Sequence, residues 1–204
     1  MHALTAADAL TRVRELSRDG RPFLLGVVGP PGAGKSTLAE RLGMPVLPMD
    51  GFHLANDDLD RRGLRDRKGA PETFDVAGFA ALLGRLRAGE DVRAPRFDRD
   101  IDAAVAEMLP LSARDRVIVV EGNYLLHDAD GWEHVRPLLD ETWYLDVPED
   151  LRLRRLVARH EAYGRSHADA VAWATDVDGA NAVLIRATRH RADAIITLNE
   201  GDDA

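Results

Sequence analysis

Short, nearly unbroken apolar runs alternate along this chain with longer stretches in which apolar residues return every three or four positions. Phe23-Leu24-Leu25-Gly26-Val27-Val28, Val117-Ile118-Val119-Val120 and Ala194-Ile195-Ile196-Thr197-Leu198 are of the first kind. They predict buried strands over 23–28, 116–122 and 194–198. Residues 141–146 read as another strand, and 45–49 as a short one whose prolines place it at a sheet edge. Helical spacing predicts a leading helix over 3–18 (Leu4, Leu10, Val13, Leu16), a second one carrying Leu38 and Leu42 on one face, and a third over 76–88 with Phe79, Leu82, Leu83 and Leu86. Residues 151–160 form an arginine-dense helix and 170–189 are mostly helical. Strands alternating with helices predict an α/β fold, with a mostly parallel five-stranded sheet covered by helices on both faces. Two stretches fit neither rhythm. Residues 52–73 are polar and turn-rich, too long for a structureless connector and so predicted to be functional, and 91–110 are irregular or partly extended.

The sharpest local signal sits between the first core strand and the helix after it. Gly29-Pro30-Pro31-Gly32-Ala33-Gly34-Lys35-Ser36-Thr37 satisfies every position of the G-x-x-x-x-G-K-[ST] phosphate loop, with strand and helix flanks as required. The glycines let backbone N–H groups turn around phosphate oxygens, and the helix N-terminus adds its partial positive charge. Lys35 then reaches the β- and γ-phosphates, and the Ser36 hydroxyl ligates Mg²⁺. The fold class therefore narrows to a three-layer P-loop NTPase, and the chain is expected to bind a nucleoside triphosphate, ATP by default.

Composition adds mainly exclusions. A chain of 204 residues makes a single domain over 1–204, and a formal charge of −8 argues against a nucleic-acid backbone as partner. The absence of cysteine excludes disulfides and thiolate chemistry. No apolar run reaches membrane-spanning length and the N-terminus lacks the apolar stretch of a signal peptide, so a cytoplasmic enzyme with no membrane partner is expected. The histidines are scattered, with no i, i+4 pair of the kind that ligates metal.

In a parallel sheet, ligands sit beyond the carboxyl ends of the strands. Gly29, Asp50 and Glu121 each stand at such an end and are expected to converge on one crevice. Glu121 follows its Val/Ile strand as a Walker-B acid does and would help hold Mg²⁺, or else caps the next element. Asp50 would accept the proton of an attacking hydroxyl, or else serves an Asp-Gly turn. Arg152, Arg155 and Arg159 are spaced to share one helix face, either as a solvated surface or as a lid that closes over the triphosphate.

Three stretches in order carry a resemblance: Asp50-Gly51-Phe52, the segment from Arg67-Lys68-Gly69-Ala70-Pro71-Glu72 to Thr73-Phe74-Asp75, and Val120-Glu121-Gly122. Together with the phosphate loop they resemble the phosphoribulokinase/uridine kinase family, in particular bacterial type I pantothenate kinases and members associated with sugar transport. The resemblance implies an ATP- and Mg²⁺-dependent kinase that phosphorylates a hydroxyl of a small metabolite (a nucleoside, a pantothenate-like molecule or a sugar). It makes Asp50 the catalytic base, aided by Lys35, Arg155 and Arg159, with Ser36 and Glu121 at the metal and a lid over about 149–168. It places the acceptor against about 50–75 and 91–100, at Asp50, Phe52, His53, Lys68, Arg96, Asp98 and Arg99, and implies a homodimer. The chain departs from pantothenate kinases at Arg96-Phe97-Asp98-Arg99-Asp100, where those enzymes carry tyrosine and histidine, and it is shorter. Two other readings use the same loop: a nucleotide-dependent switch acting on a protein partner, and a nucleoside monophosphate kinase.

Overall fold

The structure, a computed structural model, describes residues 2–98 and 100–198. Along the chain the elements are β1 (His2–Leu4), α1 (Ala6–Arg12), β2 (Phe23–Val28), α2 (Lys35–Leu42), β3 (Val46–Pro48), α3 (Asn56–Arg62) and α4 (Val76–Arg87). They continue with β4 (Val92–Asp98), β5 (Ala103–Leu111), β6 (Val117–Gly122), β7 (Glu141–Asp146), α5 (Glu149–Ala162), α6 (His167–Ala187) and β8 (Ala194–Thr197). Six strands form one sheet in the order β1-β8-β7-β2-β6-β3, and every pairing in it is parallel.

The alternation of side chains along the central strands makes the three layers. Leu24 and Val28 of β2 and Ile118 and Val120 of β6 face a core shared with Phe79 and Leu83 of α4. Leu25, Val27, Val117 and Val119 point the other way, into a core shared with Ala9 of α1 and Leu38 and Leu42 of α2. Each such Leu or Val contributes about 1.5–3 kcal/mol by leaving water. A sheet covered on both faces has no polar side, which is why its strands read as continuous apolar runs.

The α/β fold with a mostly parallel sheet is as expected, but the sheet has six strands rather than five. The additional one is β1, which the helical spacing of Leu4, Leu10 and Val13 merges into a helix over 3–18. Thr5 sets the true boundary. Its hydroxyl accepts the amide of Asp8 (3.1 Å) while the Asp8 carboxylate accepts the amide of Thr5 (2.9 Å), a reciprocal cap that starts the helix at Ala6. That leaves His2–Leu4 extended and paired with β8. β3 is an edge strand, as its prolines require.

The two stretches without clear periodicity turn out to be ordered. Residues 52–73 hold α3 and two 3₁₀ turns at Arg65–Arg67 and Pro71–Thr73. Residues 91–110 largely form a separate antiparallel hairpin of β4 and β5, whose register shifts between Ala94 and Arg96. Pro95 and that irregularity break the period-2 pattern that would have announced a strand.

Candidate active site

The strand order brings the chemistry together. β6 lies between β2 and β3, with Val27 opposite Glu121 and Pro48 opposite the same residue. The phosphate loop leaves the end of β2, Glu121 stands at the end of β6, and Asp50 is the second residue of the 3₁₀ turn Met49–Phe52 that follows β3. Lys35, Ser36, Asp50 and Glu121 therefore line one cavity, of about 170 Å³. This is the convergence expected of strand-end residues in a parallel sheet.

On the phosphate-loop side, Gly34 caps α2 with φ +91° and Lys35 is the first helical residue. The Lys35 ammonium donates to the carbonyls of Gly29 (2.9 Å) and Pro30 (3.2 Å). Burial pushes it down to about 8, against the upward pull of Glu121 and Asp50 and with a further push down from Arg159. The Ser36 hydroxyl donates to both carboxylate oxygens of Glu121, at 3.1 and 3.2 Å. A hydroxyl and a carboxylate side by side are hard oxygen donors, and this pair fits Mg²⁺, which takes one or two protein ligands and completes its shell with phosphate oxygens and water. Among the described residues no group of three or more histidines or carboxylates is arranged to hold a metal ion.

Helix α5 lies directly on the phosphate loop. Gly32 has φ +81°, and a Cβ there would stand 2.8 Å from the Arg152 carbonyl oxygen and 2.8 Å from Leu156 Cγ. Only glycine meets both demands. The arginines of α5 divide by role. Arg152 is fully buried, its guanidinium paired with Glu149 (2.6 Å) and directed at the Pro31 carbonyl (3.3 Å), so it ties the helix to the loop. Arg155 reaches the Ala33 carbonyl at 3.4 Å. Arg155 and Arg159 line a groove of about 370 Å³ together with Gly32, Gly34, Lys35, Ser36 and Thr37. Lys35, Ser36 and Arg159 also line the cavity, so groove and cavity meet at those residues.

The side of the cavity away from the phosphate loop is assembled from distant parts. His53 lines the cavity, donates through Nδ1 to the Asp50 carbonyl (2.9 Å), and packs on Phe74 and Phe97 at centroid distances of 4.0 and 4.9 Å. Burial lowers its imidazole below the ordinary histidine value, outweighing the upward pull of Asp50. Lys68 lines the cavity too, but its ammonium donates to Asn56 Oδ1 (2.8 Å) and the Asp102 carbonyl (2.7 Å) and pairs with the Asp102 carboxylate (2.8 Å). Phe52 is a core residue, edge-on to Phe79 at 4.9 Å. Arg96 and Asp98 line a second hollow of about 460 Å³ with Met108, Tyr163 and Phe97, the last of which packs on His53. Arg99 lies outside the described residues. The hairpin comes this close because of Gly51: a Cβ there would sit 2.2 Å from the Pro95 carbonyl oxygen.

The cavity also contains residues that the motifs do not mark: Asn123 after β6, and Trp173, Asp178 and Asn181 of α6. A signal for Asp178 was available. Ala170, Ala174, Asp178, Ala182 and Ile185 form the buried stripe of α6, and a carboxylate in an apolar stripe is seldom there for packing. Its Oδ2 meets His160 Nε2 of α5 at 2.8 Å.

Comparison with known proteins agrees with this geometry. The sequence profile of the Phosphoribulokinase / Uridine kinase family matches residues 24–202. A solved structure of a candidate fructose transport system kinase from Silicibacter sp. TM1040 superposes with a TM-score of 0.85 at 43% identity, covering 96% of this chain and 100% of that one. A candidate uridine kinase of Schizosaccharomyces pombe is 33% identical over 77% of this chain and 74% of its own. Pantothenate kinase of Limosilactobacillus reuteri is 31% identical over 64% of this chain, which spans only 47% of that enzyme. No helix among the described residues is long and apolar enough to cross a membrane. The match runs from the first core strand past the last one and takes in the phosphate loop, Asp50 and Glu121; the chain belongs to the phosphoribulokinase/uridine kinase family of P-loop kinases.

Proposed function

We propose that the protein transfers the γ-phosphoryl group of ATP to a hydroxyl of a small metabolite. One observation carries this reading: Asp50 shares a cavity with Lys35, Ser36, Glu121 and Arg159. A switch protein needs to position only water, whereas here a carboxylate on a separate strand end faces the phosphate loop across a polar cavity.

In this reading the loop amides and Lys35 hold the triphosphate, which draws the ammonium away from the Gly29 and Pro30 carbonyls. Ser36 and Glu121 hold Mg²⁺, which when bound neutralises charge on the phosphoryl oxygens. Asp50 accepts the proton of the attacking hydroxyl as its oxygen bonds to the γ-phosphorus, while the bond from that phosphorus to the bridging oxygen of the β-phosphate breaks and ADP leaves. Arg155 and Arg159, carried by a lid over about 149–168, stabilise the charge on the transferring group and exclude water. Most of the catalysis is positioning and electrostatics, since phosphoryl transfer asks for little covalent work from the protein.

Asp50→Asn tests the assignment. It is expected to lower kcat by about 10²–10⁴ while ATP affinity, measured by calorimetry, stays within about twofold of the parent. Parental turnover in this variant would remove Asp50 from the base role.

A further inference from the structure

The far side of the cavity sets two carboxylates, Asp50 and Asp178, beside the neutral amides of Asn123 and Asn181, whose N–H groups donate and whose oxygens accept. An ammonium has three protons, and those of Lys68 face Asn56 Oδ1, the Asp102 carbonyl and the Asp102 carboxylate. Lys35 and Arg159 stand where the cavity opens into the groove beside the phosphate loop. Facing them are Asp50, Asp178 and His53. His53 spends Nδ1 on the Asp50 carbonyl, so the ring nitrogen left to a ligand is Nε2, an acceptor in the neutral ring. Asp178 offers Oδ1, which has no hydrogen-bond partner among the described residues, while Oδ2 is held by His160.

An acceptor carrying a carboxylate or a phosphate would bring that charge beside Asp178, with the Lys68 ammonium committed to Asn56 and Asp102 and with Lys35 and Arg159 on the phosphate-loop side, an arrangement that disfavours an anion at this end. Hydroxyl groups match it, because each brings a proton to donate. The cavity is small, about 170 Å³, which limits the acceptor to a small molecule. Resting on the kinase reading, we propose that the acceptor is a neutral, hydroxyl-rich metabolite of the sugar or polyol type, and that Asp178 selects it by accepting hydrogen bonds from its hydroxyls. His160 holds Asp178 from α5, the helix that also carries Arg155 and Arg159, so acceptor and triphosphate contacts are linked through one element.

The test is a coupled ADP-release assay on the full chain with ATP and Mg²⁺. One arm holds hexoses, pentoses and short polyols; the other holds pantothenate, glycerate and uridine monophosphate. Turnover is expected in the first arm, and Asp178→Asn is expected to raise the KM of that neutral acceptor about tenfold or more, with kcat and the KM for ATP within about threefold. Trp173 gives a second readout, since its indole lines the cavity while Trp132 and Trp143 are fully buried: the neutral acceptor should change its fluorescence, and Trp173→Phe should abolish that change. Turnover confined to the anionic arm overturns the neutral-acceptor inference and leaves the kinase reading standing. An unchanged acceptor KM after Asp178→Asn removes Asp178 from the selecting role. No turnover in either arm, with ATP binding intact, overturns the kinase reading and this inference with it.

Discussion

In the proposed kinase, the donor side and the acceptor side of the cavity are built by different means. The donor side is almost one stretch of chain: Gly29–Thr37 supplies the loop, the ammonium and the hydroxyl, and Glu121 reaches it from the neighbouring strand. The acceptor side takes Asp50 and His53 from a turn, with Phe97 of the hairpin packed on His53, Lys68 from the segment after α3, and Trp173 and Asp178 from α6. A phosphate presents the same oxygens whatever the nucleotide, so one local backbone conformation serves it. An acceptor has an individual shape, and matching it requires groups from several elements held in place by the fold. Donor chemistry is therefore local and acceptor chemistry is tertiary.

That contrast predicts different responses to substitution. Lys35→Met should have the largest effect, because in the proposed reaction it removes a charge aimed at the transferring group: a loss on the order of 10³ in kcat/KM with the melting temperature held or raised, since a buried charge is removed. A loss below tenfold would mean that the loop amides alone hold the phosphates. Gly51→Ala should do the reverse and act through the fold. With the Pro95 carbonyl oxygen 2.2 Å from the new Cβ, the hairpin must move, costing about 1–3 kcal/mol and roughly 2–4 °C of melting temperature per kcal/mol. The KM of the acceptor should rise while that of ATP holds. Equal changes in both KM values would dissolve the division into two halves.

The same contrast explains what the sequence alone makes legible. The layers, the strand at the sheet edge and the convergence of Gly29, Asp50 and Glu121 follow from apolar runs and strand-end chemistry, which are local facts joined by one topological rule. The sixth strand hides because three residues carry too little periodicity, although Thr5 and Asp8 spell out where the helix begins. The hairpin hides because Pro95 and the irregularity beside it interrupt the alternation. Of the residues expected to meet the acceptor, Asp50 and His53 face the cavity, Lys68 lines it with its ammonium committed to Asn56 and Asp102, Phe52 is in the core, and Arg96 and Asp98 line another hollow. Asp178 and Trp173 lie more than 50 residues beyond Glu121. No motif joins them to the loop, and only the docking of α6 beside the sheet does so.

The mildest test of the division uses pH rather than mutation. Lys35 is held near 8 in the protein, below its ordinary 10.5, so its charge is lost as pH rises through about 8. The triphosphate is already fully ionised there, so kcat/KM for ATP should decline above pH 8, by about tenfold at pH 9 for one essential proton. Bound phosphates favour the ammonium, so kcat at saturating ATP should hold to higher pH. Unfolding through this group does not account for the decline. A lysine whose value is depressed by folding destabilises the protein while charged, and that cost fades between pH 8 and 10.5. A kcat/KM profile for ATP that stays flat to about pH 9.5 would show that Lys35 keeps its proton in the free protein, held by Glu121 and Asp50 more strongly than burial pushes it off. The two halves would then be electrostatically coupled across the cavity rather than separable.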